Sequence, residues 1–195
     1  MPAKVNHKGL SSQTGHYSRD VSTCALLRER PRKMPGLIYR EAVLADVPAL
    51  ARIRAAEWES ERYWTDRITG YMEGRLHPQK ALVPRILFVG SDDSKIVGFI
   101  AGHLTRRFDC QGELEWIDVI RERRRQGIGS KMVRILARWF AEQDARRVCV
   151  DPGNPTARQF YARLNAQNLN QHWMFWPDIS SVLMPGAAES SGFGC

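Results

Sequence analysis

The residues best equipped for chemistry lie in one short segment, Ile120-Arg121-Glu122-Arg123-Arg124-Arg125-Gln126-Gly127-Ile128-Gly129-Ser130-Lys131. Gly127 and Gly129 carry no side chain, so the phosphates of a ligand can approach the backbone. A helix starting here leaves its first N–H groups without intrahelical partners, and those donors together with the helix dipole favour an anion. Arg124 and Arg125 add fixed positive charge, which makes a pyrophosphate a natural ligand. Two better-known phosphate motifs do not fit. A P-loop needs G-x-x-x-x-G-K-[ST], and here Ser130 and Lys131 follow Gly129 in the wrong order and spacing. A dinucleotide fingerprint needs a third glycine where Met132 stands. Taken alone, the segment equally fits an ordinary glycine-containing helix start with a solvated arginine cluster.

The flanking elements must hold this loop in place. Ile128, Met132, Ile135, Leu136, Trp139 and Phe140 fall on one helical face, giving the strongest amphipathic helix in the chain. Before the loop, Glu113–Ile120 reads as a strand, and Arg85–Gly90 with Lys95–Leu104 reads as an antiparallel hairpin turned by Ser91-Asp92-Asp93-Ser94. Upstream, Leu37–Val43 is a strand, followed by Asp46 as the cap of a helix with Val47, Leu50, Ala51, Ile53 and Trp58 on its apolar face; a polar, aromatic helix covers Glu61–Glu73. Downstream come a short strand at Arg146–Val150, a helix from Pro155 to Leu164 capped by Asn154, and a final strand pair between Asn168 and Leu183. The order predicts an α+β domain with a mixed, mostly antiparallel sheet flanked by helices.

In that context Arg124-Arg125-Gln126-Gly127-Ile128-Gly129 resembles the [QR]-x-x-G-x-[GA] acetyl-CoA signature of the GNAT acetyltransferase superfamily. Some thirty residues on, Asn154-Pro155-Thr156-Ala157-Arg158-Gln159-Phe160-Tyr161 is similar to the second cofactor segment of that family, N-x-x-A-x-x-F-Y. Element order agrees from about Leu37 to Leu183, and the specific matches lie between Glu113 and Leu164. One departure stands at Asn165-Ala166, where members commonly carry Gly-Ala or Gly-Phe; Asn tolerates the left-handed conformation that Gly would supply. The resemblance implies a GNAT-like acyl-CoA N-acyltransferase fold, acetyl-CoA as cosubstrate, no metal, and transfer of the acetyl group to a primary amine by direct attack.

It also implies roles. The backbone at Ile117, Asp118 and Val119 would pair with the pantetheine arm like an added strand, and Arg124, Arg125, Gln126, Gly127, Ile128, Gly129 and Ser130 would hold the pyrophosphate. Asn154 would contact the cofactor or only cap its helix. Tyr161 would place an acidic hydroxyl near the sulfur. The attacking amine must lose a proton, so a base is needed. Glu113 and Glu115 share one side of their strand by alternation, with Asp118 on the other, and Glu113 stands 14 residues before Gly127, where some histone-acetylating members carry a glutamate base. His103 on the preceding strand is a further candidate, although a lone strand histidine is more often structural. Acceptor contacts in the superfamily usually come from the first two helices and the last strands, here Trp58, Glu59, Glu61, Tyr63, Trp64, Trp173 and Trp176. Aromatics and carboxylates suit a cationic amine. A non-catalytic acyl-CoA-binding sensor with the same pocket is the alternative. The superfamily is often dimeric, so a homodimer is a further expectation.

Composition sets the frame. The 195 residues, 43% hydrophobic and 26% charged, suit one ordinary globular domain. No stretch has the length of a membrane span, and the N-terminus lacks the apolar core of a secretory signal, so a cytoplasmic location is expected. The net charge is +8, of which residues 1–36 carry +5, so the basicity belongs mainly to a polar N-terminal extension and argues weakly for nucleic acid. The acetyltransferase domain spans 37–183, and residues 184–195 form a Gly-, Ser- and Ala-rich tail. Cys24, Cys110, Cys149 and Cys195 are far apart, with no C-x-x-C pair and no histidine at metal-ligand spacing nearby.

Overall fold

The computed structural model describes residues 36–184, apart from 76, 77, 79 and 94. The expectations for the basic extension and the C-terminal tail fall almost wholly outside these residues. Seven strands form one sheet in the order β1-β2-β3-β4-β5-β7-β6, over Ile38–Glu41, Ala81–Asp92, Lys95–Thr105, Gly112–Val119, Val148–Val150, Gln167–Asn168 and Met174–Trp176 for β1 to β7. Four helices flank it: α1 (Val47–Ala55), α2 (Glu61–Met72), α3 (Ile128–Glu142) and α4 (Pro155–Ala162). Every strand pairing is antiparallel except β4 with β5. That is the mixed α+β architecture the element order predicts. Among the described residues no helix is long and apolar enough to cross a membrane.

The sheet divides the core into two layers because side chains alternate along a strand. Leu87, Val89, Phe99, Ala101 and Trp116 face Leu50 and Ala51 of α1 and Trp64, Ile68 and Tyr71 of α2. Ile86, Ile100 and Leu114 face Met132, Val133, Leu136 and Phe140 of α3, and Tyr161 of α4 joins the same layer. Fully burying side chains such as Met132 or Leu136 contributes about 1.5–3 kcal/mol each. The buried stripe of α3 includes Val133 and Ala137, while Ile135 and Trp139 lie at its half-buried margin.

Two local expectations are corrected. Asp46 does not cap α1 with its side chain: a 3-10 turn over Leu44–Asp46 puts the residue in helical geometry. Its carboxylate instead accepts from the Val43 N–H at 2.8 Å and from both terminal nitrogens of Arg40 at 2.7 and 2.8 Å, tying the end of β1 to the helix start. Trp58 lies beyond the end of α1 and is 62% exposed, so it is no part of the apolar face. Asn154, in contrast, caps α4 as expected, accepting from the Ala157 N–H at 2.9 Å, and Asn165 takes the left-handed φ of +67° that its position requires.

Gly112 fixes how closely α3 approaches the sheet. A Cβ there would run into the ring of Phe140, which is itself buried and has nowhere to swing. Gly112→Ala is expected to lower unfolding stability by about 1–3 kcal/mol, read as a shift of the urea midpoint with an unchanged m-value.

Candidate active site

β4 carries the site, and one irregularity in it decides which side chains meet. Against β3 its register runs Phe99↔Asp118, Ile100↔Ile117 and Ala101↔Trp116, then skips to Gly102↔Leu114 and His103↔Glu113. Glu115 is the extra residue of a β-bulge. Residues directly opposite each other share a face, so Asp118 lies with Phe99 and Trp116 on the α1–α2 side, and Glu113 lies there with His103. The expectation that Asp118 points away from Glu113 is therefore overturned: strict alternation fails because the bulge inserts one residue between them.

β5 accompanies β4 only over Gly112↔Val148, Glu113↔Cys149 and Leu114↔Val150. Pro152, which lacks an N–H, follows two residues beyond Val150, and the chain turns away through Gly153 at φ +64°. Among the described residues the remainder of β4 has no strand neighbour on this side. The Ile120 N–H donates to Val97 on β3 at 2.9 Å. Backbone groups alternate sides along a strand, so Asp118 also turns its backbone to β3, while Ile117 and Val119 turn theirs to the open edge. The Val119 carbonyl there accepts from Arg124 Nε at 2.8 Å.

The open edge leads into the glycine loop. Arg125 and Gly127 both have positive φ, +61° and +79°, and Gly127 caps α3 in left-handed geometry with open space where its Cβ would be. At Gly129 a Cβ would stand 3.3 Å from Phe160 of α4, so this glycine permits the close approach of the two helices. The arginines of the loop differ. Arg123 pairs with Asp92, and Arg121 and Arg124 share Glu57 at 3.0 and 2.9 Å. Arg125 is exposed and makes no side-chain hydrogen bond or ion pair among the described residues. Glu57, in the α1–α2 connection, was invisible to motif reasoning because its partners lie over sixty residues away.

Four titratable side chains stand on β4 and α4: Glu113, Glu115 and Asp118 on β4, and Tyr161 of α4 in the α3 layer, near enough to Asp118 and Arg54 to feel their charge. Glu115 is half-buried, makes no side-chain hydrogen bond among the described residues, and has its proton affinity raised chiefly by burial. Asp118 is raised for the same reason, opposed by Arg54, whose Nη1 donates to its carboxylate at 2.7 Å. Tyr161 is buried at 3% exposure, and burial pushes its phenol well above the usual range, with Asp118 adding to the effect. Glu113 lies deeper, accepting from Arg107 Nε at 2.9 Å with His103 Nε2 at 3.7 Å.

The Acetyltransferase (GNAT) family profile matches residues 48–166, more than half of the chain. The chain belongs to this family. No curated protein sequence matches it closely enough to count as a relative. Solved structures share the GNAT fold. One is a GNAT-family protein from Desulfovibrio desulfuricans, with TM-score 0.60 and 12% identity over 74% of this chain and 99% of that one. Another is the ribosomal-protein-S18-alanine N-acetyltransferase of Escherichia coli, with TM-score 0.55 and 17% identity over 78% and 97% of the two chains. A third is a GNAT family acetyltransferase from Brucella melitensis in complex with acetyl-CoA, with TM-score 0.52 and 17% identity over 77% and 92%. None of these matches indicates a metal-requiring family.

Within this GNAT acetyltransferase, two aromatics expected at the acceptor are core residues instead. Trp64 packs edge-on against Trp116, and Trp176 is wholly buried with its indole N–H donating to the Leu164 carbonyl. Trp58 and Tyr63 are exposed, and half-buried Trp173 packs against Phe108 with Arg107 over its ring. Cys149 is a buried free thiol, held protonated by its hydrogen bond with Cys110 and by burial, so it offers no thiolate nucleophile.

Proposed function

We propose that this protein is an N-acetyltransferase that passes the acetyl group of acetyl-CoA directly to a primary amine in a ternary complex. The observation that carries the reading is the divergence of β4 from β5, which opens the edge of Ile117 and Val119. The open backbone groups of Ile117 and Val119 can pair with the amides of a pantetheine arm as an added strand would. Arg125, Gln126, Gly127, Ile128, Gly129 and Ser130 supply charge and helix N-terminal donors for the pyrophosphate. Arg124 joins them when it releases Glu57 and the Val119 carbonyl. The complex of the Brucella melitensis relative with acetyl-CoA supports this cosubstrate.

In the reaction the amine nitrogen attacks the thioester carbonyl, its proton passes to Glu115, and the C–S bond breaks as the tetrahedral intermediate collapses. The thiolate receives a hydrogen bond and then a proton from the Tyr161 hydroxyl, and the tyrosinate regains one from solvent as Glu115 gives up the proton it took from the amine. Burial suits both groups. A raised Glu115 is a stronger base than a free carboxylate, and a raised Tyr161 stays protonated and so keeps a hydrogen-bond donor for the developing thiolate. Between the two glutamates named from sequence, Glu115 is the better base because Glu113 is already committed to Arg107.

Isothermal titration of acetyl-CoA into wild type and Tyr161→Phe, with thiol release followed over an amine panel, tests the reading. Tyr161→Phe is expected to bind acetyl-CoA within about twofold of wild type while kcat falls about 10–100-fold. Tight binding with no transfer to any amine would favour the non-catalytic sensor, and no binding would remove the cosubstrate assignment.

A further inference from the structure

Beneath α2 one imidazole and two carboxylates converge from two neighbouring strands. His103 on β3 is wholly buried, and Glu113 sits opposite it in register with Oε2 3.7 Å from His103 Nε2. Glu115 completes the group: one donor atom from each of the three lies within 4.8 Å of the other two. The second ring nitrogen, Nδ1, is 3.4 Å from the Tyr71 hydroxyl, which donates to the Gly102 carbonyl at 2.8 Å. With its own proton given to Gly102, that hydroxyl can only accept from the ring. The network therefore places a ring proton on Nδ1, which in the neutral ring leaves the lone pair on Nε2.

Nε2 is buried without a hydrogen-bond partner among the described residues. Glu113 Oε2 already accepts from Arg107 Nε at 2.9 Å, so the imidazole nitrogen is the orphan of the group, and a cation bound by it and the two carboxylates relieves that cost. The edge of a tetrahedron with metal–ligand bonds of about 2.0–2.1 Å is roughly 3.4 Å, near the 3.7 Å between His103 Nε2 and Glu113 Oε2 and within reach of Glu115 by a small side-chain shift. An Nδ1–H held by a fixed acceptor, as here, is also the usual support of a metal-ligating histidine.

We propose that His103 Nε2, Glu113 and Glu115 form a zinc-binding site. The surrounding charges argue for zinc over harder ions. Arg107 compensates one of the two carboxylates, and Arg54 and Arg67 act on Glu115. With little net negative charge left, Mg²⁺ or Ca²⁺, which need several oxygen ligands, gain little. A borderline-soft ion gains from the imidazole as well. Motif spacing gives no sign of this site because its ligands stand on two strands paired by the fold. Zinc here would also oppose turnover by occupying Glu115, a consequence that rests on the proposed role of that residue as base; binding itself does not.

The test is a titration of the metal-free full-length protein with zinc chloride in competition with a chromophoric chelator. One equivalent of zinc is expected to bind wild type and to weaken by about 100-fold or more in His103→Gln, with Mg²⁺ not competing. Because His103 is wholly buried, Glu115→Gln at a less buried position is the second variant. It is expected to weaken binding at least about tenfold, and thermal melts monitor folding of both. No zinc equivalent in wild type, or one unchanged in a folded variant, would overturn the site. Zinc inhibition of acetyl transfer is read in parallel. Zinc bound by a protein that transfers to no amine leaves the site standing and removes the enzyme reading.

Discussion

Glu115→Gln lowers kcat/KM for the amine by about two to four orders of magnitude, the range a positioned general base supplies. Acetyl-CoA affinity is expected to stay within about twofold, because the residue does not belong to the loop proposed for the pyrophosphate. The substitution is isosteric, at a bulge, and breaks no side-chain hydrogen bond among the described residues, so the melting temperature should hardly move. The pH dependence has a definite sign. Burial raises the proton affinity of Glu115, so the wild-type base is lost as pH falls through a value above that of an ordinary glutamate. The acid limb of kcat/KM in wild type therefore lies on the high side of the free-carboxylate range, and it disappears in the glutamine variant. A loss smaller than about fivefold, with the limb intact, would exclude Glu115 as the base.

Positions along the chain were legible where chemistry is local. The glycine loop, the cap at Asn154 and the stripe of α3 depend on residues within one or two turns of each other, so the periods of strand and helix expose them. The asparagine at 165 is another such case, since a left-handed helix end needs only one permissive residue.

What stayed hidden depends on pairing across the sheet. A bulge is one residue too many against a partner strand, and only the partner reveals it. Without it, alternation put Asp118 and Glu113 on opposite faces; with it, both join Glu115 and His103 on the α1–α2 side. Glu57 and Arg54 gained meaning the same way, from ion pairs to residues more than sixty positions away. The large aromatics misled for a different reason. Trp64 and Trp176 have the residue type of a cation-binding surface, but each is more completely satisfied in the core, with its indole N–H donating to a backbone carbonyl. The divergence of β4 from β5 was hidden as well: a short strand at Arg146–Val150 is legible in the sequence, but not how far it accompanies β4 or which edge of β4 it leaves open.

The loop makes the sharpest demand on a single position. Gly127→Glu is expected to weaken acetyl-CoA binding by about 100-fold or more, some 3 kcal/mol, because a carboxylate enters a helix N-terminus proposed to hold a diphosphate. Two effects combine in that variant, and they can be separated. Any side chain at φ +79° costs about 1–2 kcal/mol of left-handed strain, yet a Cβ meets nothing within 4 Å, so the fold accepts it sterically. Gly127→Asn carries most of the strain with no charge and with a residue that tolerates this conformation. Its affinity, by isothermal titration, should remain within about tenfold of wild type. If asparagine and glutamate weaken binding equally, backbone geometry alone governs the site and the anionic ligand is not where the loop places it. If glutamate alone abolishes binding, and added salt weakens wild-type affinity in step, the diphosphate lies against Gly127 and the first N–H groups of α3.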